Sequence, residues 1–362
     1  MSMLAHAGTA ELASPRVRRP SSLHWALGGV ASVVLLAVTL RGADTARVAT
    51  LLGGLGFWAP LLLVPSLSAV VLETRAWQQA LSLAGYRTRL GALWGVRVAS
   101  ESLGAVLPLG AVWSDAVKPS LLASRCGVPV PAGLAAIAIR KYLLVSSQAA
   151  YLAVAFFVGH RALRDGFDRA AGMPGLASVA LVAACALGLT GASLSVLLGN
   201  GSAFRRLVER LSRTRIAFVG RHAPRLKRGA HGMDDTARAF FRSPLRARAV
   251  ALAGCLGAWL LEASETWLML RALGAGTGWG DAVGVEALVV LSRHLLPFLP
   301  GGLGVQELGY TTLLAGAGCD VDHALSLVVL KRMREAVWVT VGAVALSGGG
   351  VLRGTGRAPA TA

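Results

Sequence analysis

The side chains in this sequence best suited to chemistry are charges set inside apolar stretches. Arg140 and Lys141, Glu262 and Glu265, and Lys331, Arg332, Arg334 and Glu335 each interrupt long hydrophobic runs. Asp115, Lys118, Glu286, Arg293 and Glu307 fall in two further apolar segments that proline and glycine break. A charge at the centre of a bilayer costs about 2.5–3.5 kcal/mol on insertion scales, so such groups face a cavity or a partner. Arginine offers planar, bidentate contact to a phosphate. Arg140 and Arg332 are therefore the expected ligands of an anionic lipid headgroup, with Lys118 and Lys141 beside them and Asp115 and Glu307 orienting them. The same acids and cations can also simply neutralise one another and hold helix against helix. Glu262 and Glu265, three apart, share a helix face. Acids so placed can carry protons, or form a structural set with Ser264, Thr266 or a nearby arginine. Lys331 and Glu335 stand one turn apart and read as an i,i+4 contact.

Other chemistries find little support. The seven histidines show no HExxH spacing, and Cys126, Cys185, Cys255 and Cys319 are scattered without a CxxC, so neither a metal centre nor a disulfide framework is expected. Pro300-Gly301-Gly302-Leu303-Gly304 is glycine-rich, but a phosphate-binding loop of the Rossmann or P-loop type needs a strand before it and a helix after it. The glycines read instead as a turn, with Gly301, Gly302 and Gly304 offering backbone N–H groups to a ligand. No catalytic constellation and no cofactor site emerges, and the expectation is a protein that is not an enzyme.

The elements that must position these charges follow from hydropathy. Of 362 residues 54% are hydrophobic and 15% charged, with a mean hydropathy of +0.60. Soluble chains carry about 25% charged residues, so much of this surface faces lipid. Spans are expected at about 23–40, 48–72, 132–158, 174–198, 248–272 and 322–347. The first follows a basic stretch and resembles a signal peptide, but no convincing cleavage site follows it and an uncleaved span is the better reading. Segments 91–123 and 281–318 are apolar but interrupted, by Leu107-Pro108-Leu109-Gly110 and by the 299–304 cluster. Proline removes a donor and glycine opens positive φ, so both are expected as re-entrant hairpins, shielded by protein as non-helical backbone at membrane depth must be. The fold class is all-α integral membrane, with about six crossing helices and two re-entrant helical hairpins.

The net charge of +18 is concentrated between the spans, which favours anionic lipid over nucleic acid as its partner. The segment 203–247 is the most basic. Within it Phe204, Leu207, Val208 and Leu211 at i, i+3, i+4, i+7 predict an amphipathic helix on anionic headgroups, although a solvated basic loop fits nearly as well. By the positive-inside rule it lies in the cytoplasm with both termini, residues 1–22 and 349–362, which read as disordered; the membrane would be of the bacterial inner type.

The two broken segments superpose at a shift of 192. Pro108 falls on Pro300, Gly110 on Gly302, Asp115 on Glu307, Ser100 on Ser292, Arg140 on Arg332, and Glu73-Thr74 on Glu265-Thr266. Each unit, at about 48–158 and 248–347, reads as span, hairpin, span. Three crossings separate the two starts, so the units insert in opposite senses, the inverted-repeat plan of many transporters.

The string Leu299-Pro300-Gly301-Gly302-Leu303-Gly304-Val305-Gln306-Glu307 resembles the flippase-like membrane domain family, the transmembrane domain of lysylphosphatidylglycerol synthases. Its counterpart, Leu107 to Gly110 with Asp115 and Lys118, resembles the family's earlier motif, but has Leu109 where glycine is expected and Asp115 where glutamate is common. The resemblance covers roughly residues 23–348. It implies translocation of a lipid between leaflets, anionic, polyprenyl-linked or hopanoid in type, by a stand-alone member without the aminoacyl-transferase domain. The competing expectation is an integral-membrane enzyme or an accessory of lipid-linked glycan synthesis, with lipid- or glycan-synthesis enzymes as partners. A small-solute transporter is a third, for which no residue names a solute.

Overall fold

A computed structural model of the chain describes residues 44–107, 109–159, 176–213, 217–295 and 304–348. The expected first span at 23–40, the loop 160–175 and both tails lie outside them. Among the described residues the secondary structure is helical throughout. Twelve α-helices are described: α1 (Thr45–Gly54), α2 (Val64–Leu83), α3 (Leu90–Val106), α4 (Gly110–Cys126), α5 (Val130–Val158), α6 (Leu176–Gly199), α7 (Ala203–Arg213), α8 (Ala217–Arg242), α9 (Leu245–Ala272), α10 (Trp279–Leu295), α11 (Val305–Gly316) and α12 (Val321–Gly348).

Four stretches are long and apolar enough to cross a membrane: Ala59–Leu83, Val130–Val158, Ala180–Gly199 and Leu245–Ala272. The span expected at 48–72 is corrected. Gly56 takes φ +47° after α1, and a 3-10 turn over Gly56–Leu63 with Pro60 inside it leads into α2, whose second residue is Pro65. Proline cannot donate within a helix interior, so the long run is cut and its apolar helix is displaced toward Leu83. α12 is as long as α9, at 28 residues each, and each carries five charged residues, but four of those in α12, Lys331, Arg332, Arg334 and Glu335, cluster at mid-helix.

Both interrupted segments hold two helices that pack together, α3 on α4 and α10 on α11, with residues 296–303 of the second outside the described residues. The first turn has a local cause. Leu107, preceding proline, is extended (φ −97°, ψ 145°), as residues before proline are. Leu109 is then left-handed (φ 54°, ψ 39°), and α4 starts at Gly110. A Cβ on Gly110 would stand 1.7 Å from the Gly104 carbonyl oxygen, so this tight crossing admits only glycine. Leu109 is the one non-glycine residue at positive φ among those described, at the position where the resemblance implies glycine. The left-handed conformation costs an L-residue about 1–2 kcal/mol. Leu109→Gly recovers that while adding about 0.4–1 kcal/mol of unfolded-state entropy, a net gain of about 0.5–1 kcal/mol. The thermal midpoint of the purified protein should rise; a fall would mean that packing of the Leu109 side chain outweighs the strain.

The sequence repeat has a structural counterpart. At a shift of 192, α2 falls on α9, α3 on α10, α4 on α11 and α5 on α12. Their packing follows the same exchange: α2 packs on α9, α3 on α12 as α10 on α5, and α4 on α5 as α11 on α12. The α3–α12 contact is close, since a Cβ on Gly342 would stand 2.3 Å from the Val98 carbonyl oxygen. The exchange is broken at one place, where α9 also packs on α5.

Between the two units, α7 and α8 pack against each other, and α8 also contacts α5 and α6. The expected amphipathic helix is α7. Its start is capped across the pair: the Asp234 carboxylate on α8 accepts the backbone N–H of Phe204 at 3.0 Å and of Arg205 at 3.2 Å, and pairs with the Arg205 guanidinium at 3.3 Å.

Candidate functional site

Two charge clusters lie inside the helix bundle, one in each repeat unit, and each is organised around a glutamate at the same repeat position. In the first unit Glu73 on α2 accepts Arg97 of α3 at 2.5 Å and Arg140 of α5 at 2.5 Å. Both arginines also reach Glu101, at 3.1 Å and 3.0 Å, and Arg97 donates to the Val70 carbonyl at 2.8 Å. Arg140 lies over the Trp77 ring, 5.6 Å from its centroid, a cation–π contact that holds the guanidinium on a second side.

In the second unit Glu265 on α9, fully buried, pairs with Arg334 and with Lys331 at 3.3 Å, both from α12. Lys331 also reaches Glu286 of α10 at 3.3 Å. Glu286 in turn accepts the hydroxyls of Thr266 at 2.5 Å and Tyr310 at 2.8 Å. Donors of this kind offset the desolvation of a buried carboxylate.

The two expected acid–arginine pairs divide. Glu307 pairs with Arg332 as the spacing predicted, and also accepts the Gly304 N–H at 2.7 Å, so that it caps α11 and fastens it to α12. Arg332 pairs with Glu335 as well. Asp115, by contrast, pairs with Lys118 at 2.8 Å and Lys141 at 2.8 Å, while Arg140 is held by Glu73 and Glu101. Successive residues on a helix point about 100° apart, so Arg140 and Lys141 serve different neighbours. The i,i+4 pair of Lys331 and Glu335 is likewise not formed, because Lys331 is turned inward to Glu265 and Glu286.

Glu262 and Glu265 also separate in role. Glu265 is committed to two cations, whereas Glu262 is half-buried, and among the described residues its carboxylate takes part in no ion pair within 4 Å. Gly304 adopts φ +84° at the start of α11; Gly301 and Gly302 lie outside the described residues.

Sequence reasoning gave no site role to Glu73, Arg97 and Glu101. One signal for Glu73 was present, its repeat match to Glu265. The clusters also differ in sign. The first holds Arg97, Lys118, Arg140 and Lys141 against Glu73, Glu101 and Asp115, four cations to three acids. The second has Lys331, Arg332 and Arg334 against Glu265, Glu286, Glu307 and Glu335, three cations to four acids. Lys141 is the most open of these cations, its side chain 44% exposed. A half-open lysine in a cation-rich cluster can take an anion without losing a buried partner.

The glycosyltransferase AglD of Haloferax volcanii is 26% identical over 367 aligned residues, covering 91% of this chain and 54% of its own length. The chain thus spans about half the length of the curated relative it matches. The expectation of a protein that is not an enzyme is corrected by this relative, whose name is that of a glycosyltransferase. No solved structure matches the chain. The family described as the lysylphosphatidylglycerol synthase TM region matches residues 25–343, and with nearly the whole helical bundle inside that match, the chain belongs to this family of membrane proteins.

Proposed function

We propose that this protein handles an anionic lipid within lipid or lipid-linked glycan processing, and moves it between leaflets. The observation that carries the reading is the first-unit cluster, with its surplus cation and its half-open Lys141 beside Asp115. A lipid phosphate displaces Asp115 from Lys141, while Lys118 and Arg140 hold the surrounding potential positive. Helix lengths support a re-entrant arrangement. At 1.5 Å per residue the 17 residues of α3, α4 and α10 cover about 25 Å. The 12 residues of α11 cover about 18 Å. Both fall short of a hydrocarbon core of about 30 Å, whereas the 28 or 29 residues of α5, α9 and α12 exceed it. With hairpins that return to their own side and six crossings, both termini and the α7–α8 pair face the cytoplasm of an inner-type membrane. Exposed Arg206, Arg210, Arg242 and Arg246 then meet anionic headgroups, beside exposed Leu207 and Leu245.

Reconstitution in liposomes with a leaflet-resolved lipid assay tests the reading: the protein should accelerate exchange of an anionic lipid over that in protein-free vesicles. Absence of acceleration for every anionic lipid tried would remove it. A second reading, favoured by the name of the relative, is that the chain is part of a glycosyl-transferring system. Sugar transfer from a nucleotide donor to a lipid acceptor by the purified protein would select it.

Within the transport reading, proton coupling belongs to Glu262 rather than to Glu265. Exchange driven by an imposed pH gradient should become independent of that gradient in Glu262→Gln, with the ungraded rate retained. A gradient response unchanged in this variant would remove Glu262 from coupling.

A further inference from the structure

The outer surface between α4 and α5 holds a groove to which the headgroup reading gives no role. Ala116, Pro119, Ser120 and Ala123 recur at helical spacing on one face of α4, and Val130 and Leu134 face them from α5. The hollow they line has a volume of about 360 Å3, within the range of small-molecule sites. Its floor is tight: a Cβ on Gly133 would stand 3.3 Å from the Pro119 Cα, so the helices nearly touch beneath it. Ser120 donates its hydroxyl to the Val117 carbonyl of its own helix at 2.7 Å, and Ser124, at the far end, donates to Leu121 at 3.2 Å. With those donors occupied locally, the groove suits an apolar occupant.

One end of the groove is charged. Ala116 follows Asp115, whose 2.8 Å pair with Lys141 closes that end. Lys141 lies seven residues after Leu134, two turns further along the same face of α5. From Ala116 to Ser124 the groove runs about 12 Å along α4 at 1.5 Å per residue. An apolar channel that leads to a half-open cation matches an amphiphile with a negative head.

We propose that this groove holds one hydrocarbon chain of an anionic lipid whose acidic head reaches Lys141. The inference rests on the lipid-handling reading and names the shape of its substrate. A chain arriving from the bilayer gains no hydrophobic free energy, because lipid tails are as apolar as the groove. Selectivity therefore comes from the charge at the end, and close packing only sets the position.

The test uses the full chain in lipid nanodiscs containing a phospholipid with a photoactivatable diazirine midway along one chain, with labelled peptides mapped by mass spectrometry. The outer face of α6 is the control, since Leu181, Val182, Leu189 and Val196 are exposed there and more open than the groove. An anionic probe should mark 116–134 several-fold over α6. Ala123→Phe, and as a second variant Ala116→Phe, should fill the groove and abolish the excess. Lys141→Gln should lower labelling by the anionic probe to that of a zwitterionic probe with the same chains. Equal labelling of groove and α6, or labelling indifferent to headgroup in the unaltered protein, would overturn the proposal. Because no movement between leaflets is measured, a groove selectively labelled in a protein that exchanges no lipid would leave this site standing and remove the proposed function. Exchange without selective labelling would do the reverse.

Discussion

Glu265→Ala should be among the most destabilising single substitutions in the protein. The carboxylate is fully buried and shared by Lys331 and Arg334, with side chains 3% and 14% exposed. Removing it leaves two buried cations with one anion fewer, and breaking a buried pair in this way costs about 3–5 kcal/mol. Total stabilities are about 5–15 kcal/mol, so the loss should appear as a collapse in folded yield or a large drop in thermal midpoint. Glu286 still accepts Lys331 at 3.3 Å, which makes Arg334 the stranded group. Glu265→Ala combined with Arg334→Met should therefore recover much of the loss, because an apolar replacement of a whole buried pair is often neutral. A single-variant loss below about 1 kcal/mol would mean that water reaches the cluster and screens it.

Lys141→Gln should produce the opposite pattern, a folded protein that exchanges lipid far more slowly. Its side chain is 44% exposed, and Asp115 keeps Lys118 at 2.8 Å when Lys141 is neutral. Partly exposed pairs contribute about 0–1 kcal/mol, so the midpoint should move little. The effect on transport is larger. A charge-assisted hydrogen bond contributes about 1.5–3 kcal/mol, and each 1.4 kcal/mol is tenfold, so the rate should fall by roughly ten- to a hundredfold. Lys141→Arg should retain most of the rate. Wild-type exchange by Lys141→Gln in the liposome assay would mean that the anion binds elsewhere.

The contrast between these two substitutions shows what the sequence could and could not convey. Helix, interruption and repeat were legible because proline and glycine act locally: Pro108 extends Leu107, and Gly110 lets α4 cross Gly104 whatever surrounds them. Gly56, Pro60 and Pro65 carried the same kind of signal and were passed over in reading one span at 48–72. Ion-pair partners are not local. Whether Asp115 meets Arg140 or Lys141 depends on the rotation of α5 about its own axis, which packing against α4, α6, α8, α9 and α10 decides. The second unit kept its expected pair because Glu307 is fixed twice, as a cap on Gly304 and as the partner of Arg332. Asp115 has no such capping role in α4, where Leu109 takes that position without a side-chain bond. Arg97 and Glu101 sit one turn apart inside a segment read chiefly for its break, and only the fold brings Glu73 to them.

The carboxylate of Asp234 makes α7 and α8 a single plate. Two arginine-rich helices repel each other, yet this one acid, 2% exposed, holds the first turn of α7 by two backbone amides and a guanidinium. Peeling α7 away would strand that anion without donors, so the pair should tilt and shift as one body. A pull on the exposed arginines of the pair would then be transmitted through α8 to α5, the helix that carries Arg140 and Lys141.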